Sequence, residues 1–283
     1  MAKAKSKSAK SKSAKSKSAK SKSAKSKSAK SKPTKSKSAK SQPLKQTATE
    51  VVKELKRHAN PEKAAFFPRF FRTGPGEYGE GDQFIGVVVP DQRKIAKRFS
   101  LLPMSEIEKL LDSPLHECRL TGLFVLVGQF EKSKCEETKK AIYQFYISKT
   151  DRVNNWDLVD GSCHKIMGPY LKDRSRKKLF QFAKAKNDLW KNRIAIVTTY
   201  YFIRRGDLET TIELAEILLN HKHDLIHKAV GWMLRELGIQ NEKMLMLFLE
   251  QHHAEMPRTM LRYAIEKFPA PKRKKILAGN YFS

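Results

Sequence analysis

Acidic residues are absent from the first 45 positions, which hold 17 lysines. Cysteine is scarce throughout: Cys118, Cys135 and Cys163 are odd in number, widely spaced and include no CxxC pair. That excludes a disulfide framework and points to a reducing compartment. No apolar run approaches the ~20 residues a membrane-spanning helix needs, and the basic N-terminus lacks the apolar stretch of a secretory signal. Segments with a convincing strand pattern are missing as well. Ile85-Gly86-Val87-Val88-Val89 is rich in β-formers but short, and Pro90 follows it; it reads as an extended connector into a helix starting at Asp91. The glycine-rich stretch Thr73–Asp82 lacks GxxxxGK[ST] and no strand–helix unit frames it, so it is a loop rather than a phosphate cradle.

What is present falls into two parts. Residues 4–43 form eight pentads, AKSKS five times and then AKSKP, TKSKS and AKSQP. Alanine is almost the only apolar residue there, so residues 1–45 are expected to be a disordered tail. Such a polycation neutralises phosphates without reading sequence. Residues 46–283 still carry 41 basic and 29 acidic residues, a net charge of +12. They are long enough for one sizeable core or a helical array, and their charge points to nucleic acid or an anionic membrane. No apolar anchor accompanies the tail, which favours DNA over a membrane.

From Thr47 onward, apolar residues recur at helical spacing. The pattern predicts helices from Thr47 to about His58 and from Pro61 through Phe71. It predicts others over 91–98, 104–112, 114–130, 134–148, 153–168, 171–185, 187–204, 208–219, 223–237, 241–252, 256–267 and 271–277. Separators are short and polar. Paired helices with a two-helix period of about 35–40 residues suggest an all-α, HEAT/armadillo-like solenoid.

Within this array, Trp156 and Asp160 are four residues apart and so share a helical face. An indole beside a carboxylate attracts cations, but on spacing alone a core aromatic and a capping acid is the stronger reading. Arg193, among Trp190, Ile194 and Ile196, needs either a buried acid or a phosphate as partner. Trp232 and Arg235 share a face, and Gly231 beside them implies a close approach by a neighbour or a ligand. His221, His223 and His227, or His252 and His253, lack an accompanying carboxylate or thiolate set with ligand spacing; no metal and no cofactor are expected.

Taken in order, Trp156-Asp157-Leu158-Val159-Asp160, the DLWKNR helix ending at Arg193, His227–Glu236 and Met256–Ile265 resemble the AlkD family of DNA alkylation repair glycosylases. The start at Asn60-Pro61-Glu62-Lys63-Ala64 and the GPGEYGEGD loop are also similar, so the resemblance spans roughly residues 47–279. It implies a HEAT-like glycosylase domain over 46–283 that binds duplex DNA and excises cationic N3- and N7-alkylpurines. The reaction needs neither a cofactor nor a deep base-flipping pocket. By the same resemblance Asp160 is the catalytic carboxylate, Trp156 and Trp232 flank the lesion, and Arg193 and Arg235 hold the DNA backbone. One position departs: where a family type carries a tyrosine near the lesion, this chain has Phe70. The rival expectation is a non-catalytic HEAT-like DNA-binding or scaffold module. The implied state is a monomer without membrane attachment, cytoplasmic and nucleoid-associated in a bacterium, nuclear in a eukaryote.

Overall fold

The computed structural model describes residues 44–282, and the pentad-repeat tail up to residue 43 lies outside them. The chain opens with α1 (Ala48–Arg57), α2 (Pro61–Phe71), α3 (Val89–Arg98), α4 (Met104–Leu111) and α5 (His116–Lys132). It continues through α6 (Glu136–Ser148), a short 3-10 turn (Thr150–Arg152), α7 (Trp156–Leu171), α8 (Lys177–Ala183), α9 (Leu189–Thr198) and α10 (Tyr200–Ile203). The last elements are α11 (Glu209–Ile217), α12 (Asp224–Gln240), α13 (Glu242–His252), α14 (Arg258–Ala264) and α15 (Ala270–Leu277). Among the described residues there is no strand, only an isolated bridge between Gln83 and Leu115.

The arrangement is an α-solenoid. Helices α5, α7, α9, α12 and α14 form one row in which each packs on the next, while α4, α8 and α13 each pack on one member of that row and α6 packs on α5 and α7. The composition of α5 suits its place: it is apolar nearly all round and buried from His116 through Val127, as a helix with neighbours on several sides must be. Some polar groups taken inside are paired with one another. The Tyr146 hydroxyl pairs with Ser162 at 2.9 Å, and Ser162 donates back to the Leu158 carbonyl, leaving little desolvation uncompensated.

Glycine marks a tight helix crossing near the site. A Cβ on Gly231 would lie 2.5 Å from both the Met260 carbonyl oxygen and Tyr263 Cβ. The close approach that Gly231 implies is therefore made by α14.

Several predicted boundaries move, the helix expected over 171–185 shrinking to Lys177–Ala183, and two shifts have a plain local reason. The helix expected over 187–204 is broken into α9 and α10, because the Thr198 and Thr199 hydroxyls donate to the Ile194 and Ile196 carbonyls and end the ladder. Such back-bonding competes with helix continuation. The helix expected from 153 starts at Trp156, where the Asn155 side chain accepts from the Trp156 amide at 2.8 Å and caps it. The connector Ile85–Val88 is neither helix nor strand, turns at Gly86 with a φ of 82° and is extended at Val88, and α3 begins two residues earlier than expected. Buried Glu117 holds the connector by accepting from the amides of Ile85, Gly86 and Val87.

Candidate active site

The five residues singled out in the sequence lie on three successive members of the packed row: Trp156 and Asp160 on α7, Arg193 on α9, Trp232 and Arg235 on α12. Trp156 opens the first turn of α7 and Asp160 sits one turn further, so they share a face as their spacing requires.

Arg193 meets an acid, Asp160. Its Nε donates to Asp160 Oδ1 at 2.9 Å and its Nη2 to Oδ2 at 2.7 Å, a bidentate fork. Its Nη1 donates to the Leu225 carbonyl at 2.6 Å. The Arg193 side chain is 6% exposed and that of Asp160 20%. Arg193 is thus a buried partner of Asp160, and its planar fork suits the carboxylate. Burial pushes the Asp160 carboxyl above its ordinary value; Arg193 opposes the rise and Asp157 adds to it.

Trp156 lies in an aromatic cluster. Its ring stacks on Phe71 at 5.4 Å and meets Phe70 edge-on at 5.8 Å. Phe66 and Phe70 lie on the outer side of α2, 56% and 50% exposed, which leaves an aromatic edge open beside the indole. Trp232 has a separate neighbourhood: it tilts against Tyr200 at 5.9 Å and donates from Nε1 to Glu236 at 3.1 Å. The two indoles make no ring contact with each other. Arg235 pairs with Glu236 and with the more exposed Glu266, so a phosphate would have to displace a carboxylate there.

Beneath Trp156 is a buried charged network that sequence reasoning missed. His116 donates from Nδ1 to Asp82 at 2.9 Å and from Nε2 to Asp157 at 2.8 Å. Asp82 also accepts from Asn155 at 3.1 Å and from Arg119. Burial disfavours charge on His116, yet the two carboxylates outweigh it and raise the imidazolium to about 9. With both ring nitrogens donating, His116 is a cation at neutral pH. Nothing in the spacing of Asp82, His116 and Asp157 along the chain names them as partners.

The histidines His221 and His223 serve the turn before α12. His221 Nδ1 accepts from the His223 amide, and His223 Nδ1 accepts from the Leu225 amide. One turn beyond Asp160, burial and then Lys165 lower His164 to about 4.

The fold defines a class, the all-helical α-solenoids. The chain belongs to the DNA alkylation repair enzyme family, whose model matches residues 51–268. A solved structure described as a predicted DNA alkylation repair enzyme from Enterococcus faecalis shares the fold, with a TM-score of 0.59 and 17% identity. The alignment covers 75% of this chain and 98% of that one. No functionally curated protein matches the sequence significantly. Family membership gives the protein a role in DNA repair, with DNA as its substrate.

Proposed function

We propose that the protein is a DNA glycosylase that releases cationic N3- and N7-alkylated purines from duplex DNA. The observation that carries this reading is the Asp160 carboxylate, fixed by Arg193 through both oxygens beside the half-buried Trp156 indole. Each carboxylate oxygen keeps a further lone pair for a developing cation or a water.

The chemistry fits one carboxylate. An N-alkylated purine is already positively charged, so it departs as a neutral base and needs no general acid. As the C1′–N bond breaks, positive charge grows on the deoxyribose. A fixed anion in a water-poor setting stabilises that charge, and the indole face of Trp156 adds to it. Asp160 orients the water that attacks C1′, and the water's proton passes to solvent. Neutral glycosides usually require two carboxylates; here the substrate supplies the charge that the second would provide.

The open edge formed by Phe66 and Phe70 supports contact with a nucleotide next to Trp156. Arg235 meets the DNA backbone by exchanging Glu266 for a phosphate, and the basic tail adds sequence-independent affinity. One observation favours a second reading, a non-catalytic DNA-binding module: Arg193 occupies both oxygens of Asp160, as in a purely structural ion pair. Base release from methylated duplex DNA, measured for wild type beside Asp160→Asn, separates the two. Release that depends on Asp160 supports the glycosylase, and binding without release supports the module.

A further inference from the structure

The glycine-rich segment Arg72–Asp82 is a strap with a fixed shape. Glu77 accepts from the Gly74 amide and Glu80 from the Gly76 amide, both at 2.9 Å. Gly79 is pressed against the chain before it: a Cβ there would lie 2.4 Å from the Phe71 carbonyl oxygen and 3.3 Å from Asn155 Nδ2. The strap ends at Asp82, which His116, Arg119 and Asn155 all hold. Through His116 the same latch reaches Asp157, so the strap is tied to the turn of α7 that bears Trp156 and Asp160.

The latch places one side chain where no sequence reading put it. Tyr78, half-buried, meets Trp190 edge-on at 5.9 Å and His223 at 6.2 Å. Burial raises its phenol above the ordinary value, partly opposed by the neighbouring Trp156 side chain. The ring borders a cavity of about 310 Å³ that Arg72, Asp224, Leu225 and Lys228 also line. The Leu225 carbonyl is the third acceptor of Arg193. One residue therefore joins the cavity wall to the Asp160–Arg193 pair.

We propose that Tyr78 is a further residue of the lesion site, contacting the damaged nucleotide next to Trp156 through its ring and hydroxyl. This rests on the alkylpurine reading of the same site. The cavity's charged groups pair off, Arg72 with Glu77 and Lys228 with Asp224. That leaves little net charge for a bare phosphate and suits a nucleoside bound by an aromatic ring. Phe70 and Phe71 also contact Trp156, but neither has a polar atom. Tyr78 brings a neutral phenol that donates to a sugar or phosphate oxygen, while its face attracts the cationic base.

Tyr78→Phe and Tyr78→Ala in the full chain test this, with two probes. The first is a duplex carrying one 7-methylguanine, followed by single-turnover release. The second is a duplex carrying a cationic pyrrolidine in place of one sugar, compared in affinity with the undamaged duplex. Tyr78→Phe is expected to slow release about tenfold, the size of one lost hydrogen bond, and to weaken preference for the pyrrolidine duplex. Melting temperature and affinity for undamaged DNA stay at wild-type values. Wild-type release and preference in Tyr78→Phe would overturn the proposal, as would a loss confined to Tyr78→Ala that follows a lower melting temperature. If wild type prefers the pyrrolidine duplex without releasing base, and the variants lose that preference, the glycosylase reading falls and Tyr78 stands. If wild type neither releases nor discriminates, both fall.

Discussion

Arg193 grips Asp160 from the adjacent helix with two hydrogen bonds of 2.9 and 2.7 Å, and fastens itself to the Leu225 carbonyl with a third. The pair joins α7, α9 and the start of α12. Removing either partner leaves the other buried without compensation.

Arg193→Ala is expected to lower unfolding free energy by about 3–5 kcal/mol, the range for an orphaned buried charge. Arg193→Lys keeps the charge but loses the fork, so it should retain more stability while base release falls well below wild type. Urea unfolding and single-turnover release on the two variants check this. Equal stability of wild type and Arg193→Ala would show that the pair is not the anchor described here.

His116 makes stability depend on pH. Its folded value, about 9, lies above the ordinary 6.5, so the stability it contributes is fully present below pH 6.5. It is lost as pH rises through about 9. At about 1.4 kcal/mol per unit, the loss is on the order of 3 kcal/mol. His116→Gln should be less stable than wild type at pH 6, and the difference should shrink by pH 10. A constant difference across that range would contradict a charged His116.

How far the sequence foretold this molecule differs between fold and site. Helix positions were legible because each helix has its own apolar period and its ends have local stops, such as the Asn155 cap. The division of α9 from α10 was not, since Thr198 and Thr199 are compatible with a helix until their hydroxyls turn back on it. Trp156 and Asp160 were legible as a shared face. Whether Arg193 met an acid or a phosphate depended on how α7 lies against α9, which periodicity does not encode. Tyr78 and His116 were missed for the same reason. Their partners, Trp190, His223, Asp82 and Asp157, come from distant segments that only the packing brings together.

Gly231→Ala should force α12 and α14 apart, because the added methyl would meet the Met260 carbonyl and Tyr263 Cβ at 2.5 Å. Both are held in packed helices, so a cost of about 1–3 kcal/mol is expected. Thermal unfolding measures it; a neutral substitution would show that the crossing is looser than described.

Deleting residues 1–45 removes 17 lysines and no acid. The slope of log affinity for duplex DNA against log salt should then become shallower. Base release at saturating enzyme should stay near the full-length rate, because none of the proposed site residues lies in the deleted stretch. Fluorescence anisotropy over a salt series, alongside release assays, would show whether binding and chemistry separate in this way.

Burial pushes the Asp160 carboxyl above its ordinary value, and Arg193 opposes the rise without cancelling it. Release should therefore fall on acidification with a midpoint above that of an ordinary aspartate, after subtraction of the uncatalysed loss of base. A flat profile would remove Asp160 from the reacting centre.

The most direct test is single-turnover release of 7-methylguanine from a defined duplex by wild type and Asp160→Asn, with duplex affinity measured in parallel. Asn keeps an acceptor for Arg193 but carries no charge. The expected result is release by wild type and a drop of about 100- to 1,000-fold in the variant, with duplex binding retained. Equal rates in the two proteins, or wild-type release no faster than in buffer, would contradict the assignment of Asp160 as the group that stabilises the departing sugar cation.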